Sequence, residues 1–194
     1  LALYRPVQAN APRVVLVGMG SGSARDTRTA VLAAVASVKS PSLKKLLVCF
    51  AAPAREEAVR AVVAAVADAT YAYTHTKSKP EGRTLSKVLV ATTNASEVQA
   101  SFDRAAGIVV GAELAKEWAN RPANHATPTL LAEAAKELAQ LPKISCEVLG
   151  HKEVAKLGMG AFMAVAQGSD QPLKFVILKY SGAAKSLAPT VLVG

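Results

Sequence analysis

Residues 13–50 read RVVLVGMGSGSARDTRTAVLAAVASVKSPSLKKLLVCF, and this stretch decides the fold class. Two short apolar runs, VVLV at 14–17 and LLVCF at 46–50, have the length of buried strands. Between them, apolar residues recur at helical spacing, and Pro41 ends that pattern. The stretch therefore predicts a strand, a helix and a second strand.

The alternation continues after residue 50. Asp26 or Thr27 is the expected cap of the first helix, and Pro53 is expected in the first turn of the second. The acidic pair Glu56 and Glu57 complements the dipole at the start of that second helix. A third strand follows at 88–91. Strands that alternate with helices predict an α/β layer domain over residues 1–110.

A long helical pattern follows the third strand. Ser96 and Gln99 form a capping pattern, and apolar spacing then continues to Asn120, just ahead of Pro122. We expect a connecting helix over residues 95–120, with the domain boundary near residues 110–120. Residues 121–194 would then form the start of a second domain.

The second domain is also predicted to be mixed. Thr127 and Pro128 give a cap and a first-turn proline for a helix, and Gly158 ends a short helix over 152–157. Apolar runs predict four strands, at residues 144–149, 162–166, 174–180 and 190–193.

The composition excludes several classes of protein. Hydrophobic residues make up 51% and charged residues 19%, which indicates a globular chain rather than a disordered one. No apolar run has the roughly 18–20 residues that a bilayer requires. Cys49 and Cys146 lie in apolar, strand-like runs, so we expect two buried thiols in a reducing, cytoplasmic compartment.

The charge is unevenly distributed. The formal net charge is +9, and residues 1–110 carry fourteen Lys and Arg against seven Asp and Glu. Four basic residues in the polar segment 74–87 are candidates for binding nucleic acid: Lys77, Lys79, Arg83 and Lys87. The alternative is a solvated surface, or one that faces an acidic partner subunit.

Candidate sites for chemistry are few. GMGSGS at 18–23 lies where phosphate-binding loops occur, but Ser23 replaces the last glycine of a dinucleotide fingerprint, so a tight strand-to-helix turn is the alternative. The histidines, His75, His125 and His151, are far apart in sequence. The carboxylates of the second half lie on helical faces, whereas a two-metal centre needs several that converge. From the residues alone, we assign no catalytic, metal-binding or substrate-binding residue.

Several segments in the second half occur together in one family. NRPAN at 120–124, KLGMG at 156–160, AVAQGS at 164–169 and PTVLVG at 189–194 are similar, in this order, to segments of the leucyl aminopeptidases. The resemblance implies an amino-terminal domain related to macro domains, a long helix and a catalytic α/β domain. It also implies a hexamer that releases amino-terminal residues from peptides by using two divalent ions, Zn²⁺ or Mn²⁺, in each subunit.

The resemblance also implies where the metal site is found. The family's metal ligands are a Lys, three Asp and a Glu, and they follow the strand that resembles residues 189–194. The resemblance in residues 1–95 begins partway into the amino-terminal domain, so that domain is expected to lack its first strands. Two explanations stay open: a fragment of a longer enzyme, inactive by itself, or a non-catalytic homologue that acts as a DNA-binding or structural subunit.

Overall fold

The chain divides into two compact units. The computed structural model describes residues 2–4 and 11–194, and the units are residues 1–120 and 121–194. Each is a mixture of helices and strands, so the predicted α/β class is confirmed. No helix in the described residues is long and apolar enough to cross a membrane.

The first unit has seven described elements. They are β1 (Ala2–Tyr4), β2 (Val14–Leu16), α1 (Ala24–Val38), β3 (Lys45–Cys49), α2 (Glu56–Thr70), β4 (Lys87–Ala91) and α3 (Ala95–Asn120). Strands β1 and β2 pair antiparallel. Strands β3 and β4 pair in parallel, and α2 forms part of the crossover between them.

Helices α1 and α2 form the main core with the β3–β4 pair. The core contains Val31 and Val35 of α1 together with Val62 and Val66 of α2. Alternate residues of the two strands pack against this cluster, namely Leu46, Val48, Val88 and Val90. A second cluster joins α2 to α3, where Val59 meets Val98 and Phe102.

The caps of α1 and α2 differ from those predicted. Ser23, rather than Asp26 or Thr27, caps α1: the backbone N–H of Asp26 donates to Ser23 Oγ at 3.2 Å. Helix α2 begins at Glu56, so Pro53 lies ahead of the helix and outside its first turn. Apolar spacing locates a helix, but cap contacts decide the first residue, and these contacts are not visible in the spacing.

The start of α3 also differs from the prediction. The helix begins at Ala95, so Ser96 lies inside the first turn and not ahead of it. Asn94, the residue ahead of the helix, contacts its first turn instead: its carbonyl accepts from the backbone N–H of Glu97 at 3.1 Å, and its Nδ2 donates to Glu97 Oε2 at 3.0 Å. Asn94 also ties the helix start to the loop before α2, because Nδ2 donates to the carbonyl of Ala54.

The second unit begins with a 3₁₀ turn over Ala123–His125. It continues with α4 (Pro128–Leu138), β5 (Ile144–Leu149), α5 (His151–Lys156), α6 (Gly160–Ala166) and β6 (Phe175–Tyr180). Strands β5 and β6 pair antiparallel. The predicted cap of α4 is confirmed, because Thr127 Oγ1 accepts from the N–H of Leu130 at 3.3 Å. Gly158 has a φ of 69°, which favours glycine after α5.

Two predicted strands of this unit were wrong. Residues 162–166 form most of α6, where Phe162 packs edge-to-face on Phe175 with ring centroids 5.4 Å apart. A short apolar run does not by itself distinguish a strand from a buried helix, and Ala and Met favour helix. Residues 190–193 form no strand, and Leu192 and Val193 are each 93% exposed. No described strand pairs with them to satisfy their backbone groups.

Candidate functional site

The glycine-rich turn at 18–23 is closed by the protein's own carboxylate. Gly20 and Gly22 have φ angles of 54° and 71°, which suit glycine. Asp26 accepts from the backbone N–H of Ser21 at 3.1 Å and from its hydroxyl at 2.6 Å. The hydroxyl hydrogen bond is the main reason that the pKa of Asp26 is lowered. An amide that a phosphate loop would present to an anion is therefore occupied, and the geometry is that of the tight turn.

An open cavity of about 210 Å³ lies beside this turn. Its lining is mostly apolar and includes Met19, Phe50, Pro53 and Ala58, with Arg55 as the single charged residue among the described ones. None of the described residues that line it is a carboxylate, a histidine or a cysteine. They therefore include no side chain suited to act as a general base or to bind a metal.

Of the four candidate nucleic-acid contacts, Arg83 is the one whose side chain is bound by neighbouring groups of the fold, although the residue itself is exposed. Its Nε donates to the carbonyl of Thr70 at 3.2 Å, and one terminal nitrogen donates to the carbonyl of Ala67 at 3.2 Å. The guanidinium also forms an ion pair with Glu113 of α3. Lys77 and Lys79 remain exposed.

The contacts of Arg83 have a clear physical role at the end of α2. The last turn of that helix contains no basic residue, although its free carbonyls favour a cation. Arg83 supplies one cation, and Lys39 supplies another by donating to the carbonyl of Ala69 at 2.8 Å. The basic segment is thereby anchored to α2 and α3.

A second ionic group joins the three long helices. Asp68 of α2 pairs with Arg28 of α1 at 2.7 Å and with Lys116 of α3. The Lys116 ammonium also lies 5.3 Å from the centroid of the Tyr71 ring, within the range of a cation–π contact. The hydrogen bond from Lys116 is the main reason that the pKa of Asp68 is lowered. A carboxylate held in this way is an ionic tie between helices.

One serine lies next to a carboxylate, but the arrangement is not that of a nucleophile. Ser101 of α3 donates to Glu56 Oε2 at 2.7 Å and accepts from Arg60 at 3.2 Å. No histidine takes part in these contacts, and Ser101 is only 7% exposed. The group therefore ties α3 to α2.

The described residues do not fit a two-metal centre. In residues 2–4 and 11–194, no three His, Cys, Asp or Glu side chains converge where they could hold an ion. His75 Nδ1 lies 3.9 Å from Glu117 Oε1. His125 lies in the 3₁₀ turn and His151 in α5. Both cysteines are free; Cys49 is exposed and Cys146 is only half-buried, so the prediction of two buried thiols was wrong.

We predict that Arg83→Ala destabilises the first unit by about 1–2 kcal/mol, because two helix carbonyls and Glu113 would lose a charged partner. Lys79→Ala, an exposed position of the same segment, is the matched control and should change stability by less than about 0.5 kcal/mol. Urea unfolding followed by circular dichroism measures both. Equal midpoints for the two variants would contradict the anchoring role.

We predict that the Asp68 group makes stability depend on acid pH. Because the folded pKa of Asp68 lies below its unfolded value, the stabilisation is present above about pH 5 and is lost as the pH falls through the folded pKa. Asp68→Asn should lower the free energy of unfolding by about 1 kcal/mol at pH 7. It should also reduce the fall in stability between pH 5 and pH 3. Glu81→Gln, at an exposed loop position, is the control. Urea midpoints from pH 7 to pH 3 test this, and an unchanged acid limb in Asp68→Asn would contradict it.

Comparison with known proteins gives a consistent result over both units. Residues 1–80 match the model for the amino-terminal domain of the cytosol aminopeptidase family, and residues 113–194 match the model for its catalytic domain. A probable cytosol aminopeptidase of Albidiferax ferrireducens is 58% identical over all 194 residues, and one of Polaromonas naphthalenivorans is 53% identical. The chain covers 40% and 39% of these relatives.

Solved structures agree with these matches. A mutant of tomato leucine aminopeptidase superposes with a TM-score of 0.79 over 93% of this chain and 38% of its own, at 26% identity. The bottromycin maturation enzyme BotP in complex with Mn superposes with a TM-score of 0.75, over 91% of this chain and 38% of its own, at 25% identity. With both domain models matched in order, the chain belongs to the cytosol aminopeptidase family.

Proposed function

We propose that the protein to which this chain contributes is a metal-dependent aminopeptidase that releases amino-terminal residues, leucine among them, from peptides. The observation that carries the proposal is the ordered match of both family domains. Relatives named as probable cytosol aminopeptidases, 58% and 53% identical over the whole chain, support it.

The chain spans about 40% of the length of the curated relatives it matches. Residues 1–110 would supply an amino-terminal domain, residues 95–120 the connecting helix and residues 121–194 the beginning of the catalytic domain. Since the described residues do not fit a two-metal centre, we place the ligands and the catalytic groups in polypeptide outside residues 1–194.

Several finer features belong to the same proposal. The cofactors would be two divalent ions in each subunit, Zn²⁺ or Mn²⁺; the similarity to BotP, whose structure was solved in complex with Mn, supports the use of a divalent metal. The assembly would be a homohexamer, as the family resemblance implies. A cytoplasmic location is in line with the name "probable cytosol aminopeptidase" that the relatives carry. No chemical step is assigned to any residue of 1–194.

We predict that the full-length protein, loaded with Mn²⁺ or Zn²⁺, hydrolyses a chromogenic leucyl amide and loses this activity on treatment with a chelator. Residues 1–194 alone should show no turnover under the same conditions, because their described part lacks a convergent set of metal ligands. Release of the chromophore measures both. Full-length protein that stays inactive with either metal would overturn the proposal. Metal-dependent turnover by residues 1–194 would contradict the placement of the metal ligands outside them.

A second candidate function is a non-catalytic homologue that acts as a DNA-binding or structural subunit. The specific observation in its favour is that Lys77 and Lys79 are exposed on the basic segment, and that Lys87 is exposed on β4. Arg83 contributes less to such a surface because its guanidinium is bound within the fold.

We predict for this alternative a gel shift of duplex DNA that weakens steeply with salt, because phosphate contacts release counterions. In the double variant Lys77→Ala/Lys79→Ala, the plot of log affinity against log salt concentration should be less steep by about 2. Lys136→Ala/Lys152→Ala, two helical lysines in the second unit, is the matched control. Absence of a shift at low salt would exclude the DNA-binding form of this alternative.

A further inference from the structure

The ion pair between Arg83 and Glu113 uses both terminal nitrogens of the guanidinium. Nη1 donates to Glu113 Oε2 at 3.4 Å, and Nη2 donates to Glu113 Oε1. Two terminal N–H groups that face two oxygens of one anion form the fork with which arginine also binds a phosphate group. The carboxylate of Glu113 therefore occupies the edge of Arg83 that a phosphate would use.

The other contacts of Arg83 hold the base of the same guanidinium. Nε donates to the carbonyl of Thr70 and Nη2 to the carbonyl of Ala67, each at 3.2 Å. These two bonds come from the end of α2 and do not involve Glu113. The side chains of Arg83 and Glu113 are 32% and 28% exposed, so the pair lies at the protein surface and not in the core.

The carboxylate that neutralises Arg83 comes from a distant part of the chain. Glu81 lies two positions before Arg83, yet it is exposed and forms no ion pair within residues 2–4 and 11–194. Glu113 lies 30 positions after Arg83, on α3. The neutralisation is thus a product of the packing of α3 beside the basic segment, whose own sequence is rich in cations.

We propose that Glu113 is an intramolecular competitor for phosphate, which holds Arg83 back from duplex DNA bound at the basic segment 74–87. Without the charge of Glu113, the fork is open, and the two carbonyls of α2 keep the guanidinium in place at the surface. One further cation then joins Lys77 and Lys79 in neutralising phosphates. This inference rests on the DNA-binding candidate function and is independent of the aminopeptidase activity.

The salt dependence of binding measures this competition directly. Each phosphate that a protein cation neutralises adds about 0.9 to the steepness of the plot of log affinity against log salt concentration. A guanidinium whose charge is already balanced by a carboxylate adds little to that slope. Opening the fork should therefore make the plot steeper by about 1, and it should raise the affinity several-fold at low salt.

The experiment compares the full-length protein with its Glu113→Gln variant by gel shift of duplex DNA over a range of salt concentrations. Glu113→Gln should bind several-fold more tightly at low salt, with the steeper plot. Glu81→Gln is the matched control, because it removes the same charge from the basic segment without opening the fork. It should give a smaller gain and an unchanged slope. Equal gains and slopes in the two variants would reduce the effect to net charge and overturn the proposal.

A double variant shows whether the gain passes through Arg83. Arg83→Ala in the Glu113→Gln background should remove the added slope, since the freed guanidinium is then absent. A gain that persists without Arg83 would contradict the proposal. Wild-type protein that binds DNA while Glu113→Gln binds no more tightly would overturn this inference alone. Absence of a shift with both proteins at low salt would overturn the DNA-binding candidate function together with it.

Discussion

Helix α2 is the element around which the first unit packs. Its Val59, Val62 and Val66 are at most 2% exposed, and they meet α1 and the sheet on one side and α3 on another. Burying one such side chain contributes about 1.5–3 kcal/mol, so this one helix supplies much of the apolar free energy of the unit. The inner residues of β3 and β4 are partly buried because α1 and α2 pack over them.

The polar contacts of the first unit converge on the ends of the same helix. At its start, Glu56 joins Ser101 of α3. At its end, Asp68 binds basic residues of α1 and α3, while Arg83 satisfies the last carbonyls. These charged groups are partly exposed, and each contributes a contact between α2 and a neighbouring segment. Several charges of this basic domain therefore have partners within the fold.

The sequence by itself determined the order and type of most elements, because helical and strand periodicities are local properties of the chain. It also carried the ordered segments on which membership of the aminopeptidase family rests. Local pattern was insufficient where a strand and a helix share the same pattern. Residues 162–166 form a continuous apolar run that fits both, and they form a helix. The same holds for helix starts, since the cap contact of Ser23 and the contact of Asn94 with Glu97 are not revealed by spacing.

Only the tertiary structure decided the partners of the charged residues and which strand faces are covered. Arg83 and Glu113 lie 30 positions apart, and the packing of α2 and α3 brings them together, which no periodicity in the sequence reports. Asp26 likewise closes the glycine-rich turn by accepting hydrogen bonds from Ser21. Arg83 and this turn both suggest ligand binding in the sequence, and both make contacts within the fold. The exposure of Cys49 has the same origin, because an apolar strand predicts burial but only the neighbouring layers determine which of its two faces is buried.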